Sequence, residues 1–458
     1  MSRESFHPAK ASNARDQRRT WLETMLQRNS RCRYLRTFGC PRTEADYLQH
    51  VPIVDYEDLL PLITELSNGE GDVLFNGKPA AYERTGGSSG GSKLIPYSQD
   101  GLLDFQHELA PWLFHTIRRH GISGSVYFSI SPVARRHENL CGLGVGLPDG
   151  AYLGAEAGAW LSQRNAVPAG VAEISDIDTW RKTTLNHLKA ADNLELISVW
   201  SPTFLLRLFD GIADTRTHWP NLKVISCWAS GSAKRYLGDV TKMFPHVIVE
   251  PKGLLSTEAI ITVPDIEGRP RLAQHGYFEF RQAGRCYDAS ELVEKEEYEV
   301  ILSTASGLYR YASGDRVRCE EHSSHGNAVL EFVGRNSMTS DLVGEKLTED
   351  FVSKCLENTP GFAMLVPRMA PAGYVLVSDD KLAESYVHEL DARLRQNPQY
   401  NYARRLGQLE PVSLLTCRNS HEVVEQVMYK RGTRLGDIKP TSLRSEEFWL
   451  PLFKERLS

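Results

Sequence analysis

The chain has 458 residues, a net charge of −5, and 41% hydrophobic and 24% charged side chains; it is too long for one compact core, globular in composition, and lacks the basic balance of nucleic-acid binders. The opening stretch MSRESFHPAKASNARDQRRTWLETMLQ has no apolar run suited to a signal peptide, and no segment approaches the roughly 20 apolar residues of a membrane span. The expectation is a cytoplasmic protein without membrane or nucleic-acid partners, whose eight cysteines, free of C-x-x-C pairs, are reduced, mostly structural thiols.

In chain order, the basic region between Arg15 and Arg36 reads as the solvated face of an amphipathic helix that carries Trp21, Leu22, Met25 and Leu26. A helix in YEDLLPLITELSNG is followed by a glycine- and serine-rich loop. SQDGLLDFQHELAPWLFHTIRRHG then places Leu102, Leu103, Phe105, Leu109, Trp112, Leu113 and Ile117 at helical spacing, from a Ser98 cap to Gly121. LELISVW (194–200), LKVISCWA (222–229) and VIVE (247–250) read as strands separated by helices, one of which starts at Ser201-Pro202. That alternation predicts a parallel α/β sheet.

From about residue 276, YFEFR, YEVILST and AVLEFV predict an antiparallel sheet or barrel. After Gly334-Arg335 the order becomes helix (349–357), strand (361–367), strand (373–378), helix (381–395), strand (411–416) and helix (421–430), a small α+β domain. The expected division is an N-terminal domain of residues 1–335 and a C-terminal domain of residues 336–458.

The loop in YERTGGSSGGSKLIPYS admits three readings. A flexible linker would cut the α/β part in half. A hydrolase nucleophile elbow, to which Gly86-Gly87-Ser88-Ser89-Gly90 conforms as G-x-S-x-G, needs a helix directly behind the serine, whereas Pro96 favours extended chain. A phosphate cradle uses side-chain-free backbone to aim several N–H groups at one anion, with hydroxyls and a lysine completing the site. It also requires partners elsewhere for metal, ribose and the reacting group.

Those partners carry a family resemblance. RTGGSSGGSK resembles the lysine-ended phosphate loop of the adenylate-forming superfamily, GLLSTE (253–258) its second signature, and YRYASGDRVR (309–318) its third. VPIVDYEDLLPLI, WPNLKVISCWASG, KGLLSTE, EFVGRN and RLGQLEPVSLL, in that order, resemble the auxin- and jasmonate-conjugating acyl-acid amido synthetases, the Gretchen Hagen three family with its bacterial members, over about residues 20–445.

The resemblance implies an α/β fold with a large N-terminal adenylate-forming domain and a small mobile C-terminal domain. It implies ATP and Mg²⁺, with a carboxylic acid adenylated and then passed to an amine, such as an amino acid. Thr85, Gly86, Gly87, Ser88, Ser89, Gly90 and Lys93 would hold the phosphates. Ser256 would lie at the nucleotide, Thr257 at its α-phosphate, and Glu258 would help hold Mg²⁺. Asp315 would accept from the ribose hydroxyls. Gly231 and Ser232, in Ser230-Gly231-Ser232-Ala233, would lie against adenine, Arg335 near ribose and phosphate, and Lys346 and Lys439 would be the basic residues of the C-terminal domain. Lys439 would neutralise charge developing between carboxylate and α-phosphate.

Two positions depart from the family pattern. Gly87 stands where threonine is usual, and Leu254 takes the place of an aromatic that stacks on adenine. A thiol acceptor, giving a coenzyme A thioester, and a binding-only relative remain as alternatives. Cys319, His322 and His325 in CEEHSSHG fit no common zinc spacing and read as an exposed turn, and CGLGVGLPDG as a glycine-rich turn near the acyl pocket. Trp200 and Ser131 are expected in the pocket wall.

Overall fold

Four short apolar runs, Ser125–Phe128, Leu194–Ser198, Val224–Cys227 and Ile248–Pro251, pair in that order as a parallel sheet. The two central strands are buried at every position, as a parallel sheet covered on both faces requires. The computed structural model describes residues 14–85, 93–128, 138–147, 149–322, 327–335 and 338–456. Gly86, Gly87, Ser88, Ser89, Gly90, Ser131 and His325 lie outside these residues.

The local signals upstream act as the sequence predicts. The helix Gln99–Arg119 starts where the Ser98 hydroxyl accepts from the Gly101 amide at 3.0 Å. Ser201 caps Pro202–Leu208, with Pro202 in the first turn, where no backbone donor is missed. In the N-terminal helix Ala14–Arg28, Leu22, Met25 and Leu26 are buried, but so is Arg18, which departs from the expected solvated basic face.

The antiparallel part is an open sheet of seven strands rather than a barrel. Its order is Arg285–Tyr287, Tyr277–Gln282, Glu297–Ser303, Tyr311–Glu321, Val329–Arg335, Pro270–Leu272 and Thr262–Pro264, and the two edge strands do not pair with each other among the described residues. Along Tyr311–Glu321 burial alternates residue by residue, the two-residue period of a strand with one face on the core. Cys319 sits on that buried face, so the expected exposed turn begins only after it.

In the C-terminal part, Ala363–Arg368 and Gly373–Ser378 pair antiparallel, and Glu410–Thr416 joins the latter in parallel. The segment read as one helix from 381 to 395 is Glu384–Leu394, followed by a second helix, Pro398–Arg405. The second helix starts at the Asn-Pro step: the Asn397 side chain accepts from the Tyr400 amide at 3.0 Å, and Pro398 occupies the first turn. A further helix, Trp449–Glu455, closes the fold.

Alternate residues of this sheet serve two different cores. Leu365 and Leu376 pack with Leu390 and Leu394, whereas Met364, Val366, Val375 and Val377 join a cluster that includes Met428, Trp449 and Phe453 and continues into Ile197 and Ile225 of the parallel sheet. Apolar packing therefore crosses the junction at residue 335, and it joins the C-terminal part to one face of the parallel sheet.

Candidate active site

The cavity lies where the parallel strands end. Phe128 and Ser198 are the last residues of their strands, Trp200 and Trp228 follow shortly after theirs, and Lys252 follows Pro251; all five line a cavity of about 200 Å³. Open α/β sheets bind ligands in this place, outside the carboxyl ends of the strands. The Trp228 amide donates to the Trp200 carbonyl at 2.8 Å, and their rings lie 6.0 Å apart. Tyr97, Phe105 and Tyr152 continue the aromatic wall, with Phe105 edge-on to Tyr97 at 5.5 Å.

The glycine- and serine-rich loop joins two antiparallel strands, Ala81–Arg84 and Leu94–Tyr97. Its neck is closed by Thr85, whose amide donates to the Lys93 carbonyl at 2.9 Å and whose hydroxyl accepts from the Lys93 amide at 3.0 Å. A neck locked in this way is no linker, and the strand behind it excludes the nucleophile elbow, which needs a helix there. Thr85 lines the cavity. The Lys93 ammonium turns instead to the Tyr311 hydroxyl at 2.9 Å and over the Tyr56 ring.

The second motif forms a tight turn. Gly253 has φ +79°, and a Cβ there would sit 2.5 Å from the Thr262 carbonyl oxygen, so the close return of the chain requires glycine. Ser256 and Ala259 exchange backbone and hydroxyl hydrogen bonds, which presents Ser256, Thr257 and Glu258 at the tip, all on the cavity wall. The Tyr97 hydroxyl donates to the Thr257 carbonyl at 2.5 Å and ties this turn to the loop hairpin. Glu258 is 3% exposed.

Strand register creates the next pair. Asp315 stands directly opposite Arg335 on adjacent antiparallel strands, and its carboxylate takes both Nε at 2.5 Å and Nη2 at 3.3 Å. Asp315 is 1% exposed, and its charge holds Arg335 firmly protonated. Lys439 reaches the same cavity from the C-terminal part, its ammonium 5.5 Å from the Trp228 ring centre. Enclosure in the cavity, and then the nearby Arg335 charge, lower the Lys439 pKa to about 8. Arg434 and Asp437 of the same segment also line the wall, and Arg434 donates to the Leu147 carbonyl at 3.1 Å.

Several expected residues lie elsewhere. Lys346 is exposed in a turn with φ +47°, away from the cavity, because the neighbouring Glu345 carboxylate is buried on the Leu342 and Val343 amides and the Tyr374 hydroxyl. Gly231 packs on the Phe332 ring. Ser232 donates to Glu349 at 2.5 Å, and that carboxylate also accepts from the Ser442 and Leu443 amides at 2.6 Å; Ser232 thus meets the C-terminal part and Gly231 the antiparallel sheet, and neither lines the cavity. Leu254 is buried in the core, and it is Leu255 that lines the cavity. Sequence reading missed Lys252, Trp228, Tyr97 and Tyr152. For Tyr97, Trp228 and Lys252 the available signal was their place at or just beyond strand ends; Tyr152, at the end of a short helical turn, gave none.

Two family models match the chain: the GH3 family N-terminal domain over residues 5–215 and the GH3 family central domain over residues 271–335. The putative indole-3-acetic acid-amido synthetase GH3.10 of Oryza sativa subsp. japonica is 22% identical over 404 residues, spanning 76% of this chain and 84% of the relative. Indole-3-acetic acid-amido synthetase GH3.15 of Arabidopsis thaliana is 24% identical over 431 residues, spanning 74% and 70%. Among solved structures, AtGH3.15 acyl acid amido synthetase in complex with 2,4-DB superposes with a TM-score of 0.83 at 18% identity, over 97% of this chain and 94% of the other. A 2-hydroxyisobutyryl-CoA ligase in the postadenylation state gives 0.60 at 13% identity, over 100% and 97%. The fold is that of the adenylate-forming enzymes.

Proposed function

The chain belongs to the GH3 family, and from that premise we propose that it is an ATP-dependent acyl-acid amido synthetase. The observation that carries this reading is convergence: Thr85, Thr257, Glu258, Arg335 and Lys439, distant in sequence, line one aromatic cavity. The curated relatives are by name indole-3-acetic acid-amido synthetases, and one solved relative holds 2,4-DB. An acid substrate and an amine acceptor are the corresponding assignments here.

The acid's carboxylate oxygen attacks the α-phosphorus of ATP; the new oxygen–phosphorus bond replaces the bond to pyrophosphate, which leaves. No protein nucleophile takes part, so catalysis is positioning and charge stabilisation. Lys439 and Arg335 supply positive charge where negative charge builds, Thr257 and Thr85 hold phosphate oxygens, and the Asp315–Arg335 pair forms the ribose side of the site. The amine nitrogen then attacks the acyl carbon, AMP departs with its oxygen, the amine gives up a proton, and the product is an amide.

Glu258 is the residue that would hold Mg²⁺. A buried carboxylate on the cavity wall suits an ion that takes one or two carboxylates and leaves its other positions to phosphates and water; among the described residues no cluster of three His, Cys, Asp or Glu offers a protein-only site. When bound, the ion neutralises phosphate charge. Residues 336–458 act as the unit that delivers Lys439. Glu345, locked to Tyr374, belongs to that unit, so its pivot lies ahead of Leu342.

The test is ATP-dependent pyrophosphate release across aromatic, indolic and aliphatic acids, with hydroxylamine trapping the acyl-adenylate as hydroxamate. Release that depends on one acid class, with matching hydroxamate, supports the assignment. ATP binding without release for any acid contradicts it.

A further inference from the structure

The end of the cavity lined by the parallel sheet holds a cation that the adenylation chemistry does not use. Lys252 is 3% exposed, and its ammonium donates to the Ser198 hydroxyl at 2.6 Å. It lies 4.8 Å from the Trp200 ring centre, 5.0 Å from that of Trp112 and 6.0 Å from that of Phe128. Ser198 and all three aromatic residues line the cavity themselves, so the ammonium stands among wall residues rather than in the core behind them. Aromatic faces stabilise a cation there.

A second observation points the same way. The indole N–H of Trp112 is buried, and among the described residues it has no acceptor. A buried donor left unpaired costs about 1–3 kcal/mol. Lys252 and Trp112 come from different elements, the end of a parallel strand and the helix Gln99–Arg119, yet they meet at one place on the wall.

We propose that Lys252 and Trp112 bind a second, anionic oxygen group on the acid substrate, so that the substrate class is an aromatic acid bearing another acidic substituent. The inference rests on the cavity being the acid site, as assigned above. The aromatic ring packs between the tryptophans, the reacting carboxylate faces Lys439, and the second acidic group faces Lys252.

Acid binding without nucleotide tests this, read from the fluorescence of the cavity tryptophans. The probes are matched pairs: benzoate against benzene-1,3- and benzene-1,4-dicarboxylate, and phenylacetate against its ring-carboxylated forms. The unaltered protein should bind at least one diacid about tenfold more tightly than its monoacid, the scale of a hydrogen bond to a charged group. Lys252→Met should abolish that preference while monoacid affinity stays within about threefold, Lys252→Arg should keep it, and Trp112→Phe, which removes only the N–H and its ring edge, should reduce it. Thermal melts establish that each variant is folded.

Equal binding of every pair by the unaltered protein would overturn the proposal, as would an unchanged preference in Lys252→Met. So would loss of monoacid and diacid binding alike in Lys252→Met, which would place the reacting carboxylate itself on Lys252. Because this readout uses no ATP, a diacid preference without pyrophosphate release would overturn the adenylation reading and leave the recognition site standing.

Discussion

The two walls of the cavity are built in different ways. The aromatic wall is largely the product of one element: the ends of a parallel sheet place Phe128, Trp200 and Trp228 side by side, and one helix supplies Phe105 and Trp112. The polar wall is an assembly. Thr85 comes from a hairpin, Thr257 and Glu258 from a turn, Arg335 from the antiparallel sheet with Asp315 behind it, and Lys439 from the C-terminal part. A wall made by one sheet keeps its shape while loops change, whereas a wall made of four segments exists only when all are docked. The first suits recognition of a rigid acid, and the second suits a site that must assemble for one half-reaction and open for the next.

The largest effect should come from the segment delivered from furthest away. Lys439→Ala should slow acyl-adenylate formation by about 10²–10³-fold, the scale for removing one preorganised charge from a developing oxyanion, with the melting temperature and ATP binding nearly unchanged. Single-turnover pyrophosphate release measures the first and calorimetry the others. Near-normal release would remove Lys439 from the polar wall.

Breaking the Asp315–Arg335 pair should cost less in rate and more in stability. Asp315→Asn leaves Arg335 without its carboxylate; a buried pair that loses one partner is destabilised by about 3 kcal/mol, the lower end of the usual range because Arg335 retains some exposure. The apparent ATP requirement should rise by about tenfold. An unchanged ATP requirement would place the ribose elsewhere.

The aromatic wall should respond in the opposite sense. Phe105→Ala removes an edge-on partner of Tyr97, an arrangement worth about 1 kcal/mol beyond buried area, and should raise the KM for the acid by several-fold while leaving the KM for ATP alone. A parallel rise in both would mean the two walls are not separable.

The smallest effect is a change of pH profile. Lys439 is held near a pKa of about 8, below the ordinary lysine value. Its charge is therefore present below pH 8 and lost above it, so kcat/KM for adenylation should fall as pH rises through about 8, the free-enzyme value. The linked stability has the opposite sign: burying the charged form is unfavourable, so the closed arrangement is favoured above the ordinary lysine pKa and loses that contribution as pH falls through about 8. Lys439→Arg, whose guanidinium stays charged, should remove the alkaline limb of the rate at reduced overall activity.

The polar wall was largely legible in the sequence because its residues sit in short motifs whose spacing is set by local backbone: a turn that needs Gly253, and a hairpin neck that needs a hydroxyl at Thr85. Lys346, named from a match to family positions, lies outside the cavity because that match says nothing of which way a turn faces once Glu345 is buried on Tyr374. Ser232 failed because the same short segment could meet a nucleotide or another part of the chain, and its hydroxyl is engaged by Glu349, 117 residues away. Lys252 was invisible for a different reason. It is one lysine after a strand, and only the parallel register that brings Ser198 and Trp200 beside it, with Trp112 from the helix Gln99–Arg119, gives it meaning. The strands themselves were read correctly, but the antiparallel part could not be resolved into sheet or barrel, since edge closure depends on long-range pairing that no local pattern encodes.

The most direct test of the central claim follows an oxygen atom. With an acid found active in the pyrophosphate screen and labelled with ¹⁸O in both carboxylate oxygens, one turnover with ATP and an accepting amine should deliver one ¹⁸O to AMP and retain the other in the amide, since the carboxylate oxygen that attacks the α-phosphorus leaves with it. Label in inorganic phosphate, or AMP without label, would contradict an acyl-adenylate formed in this cavity.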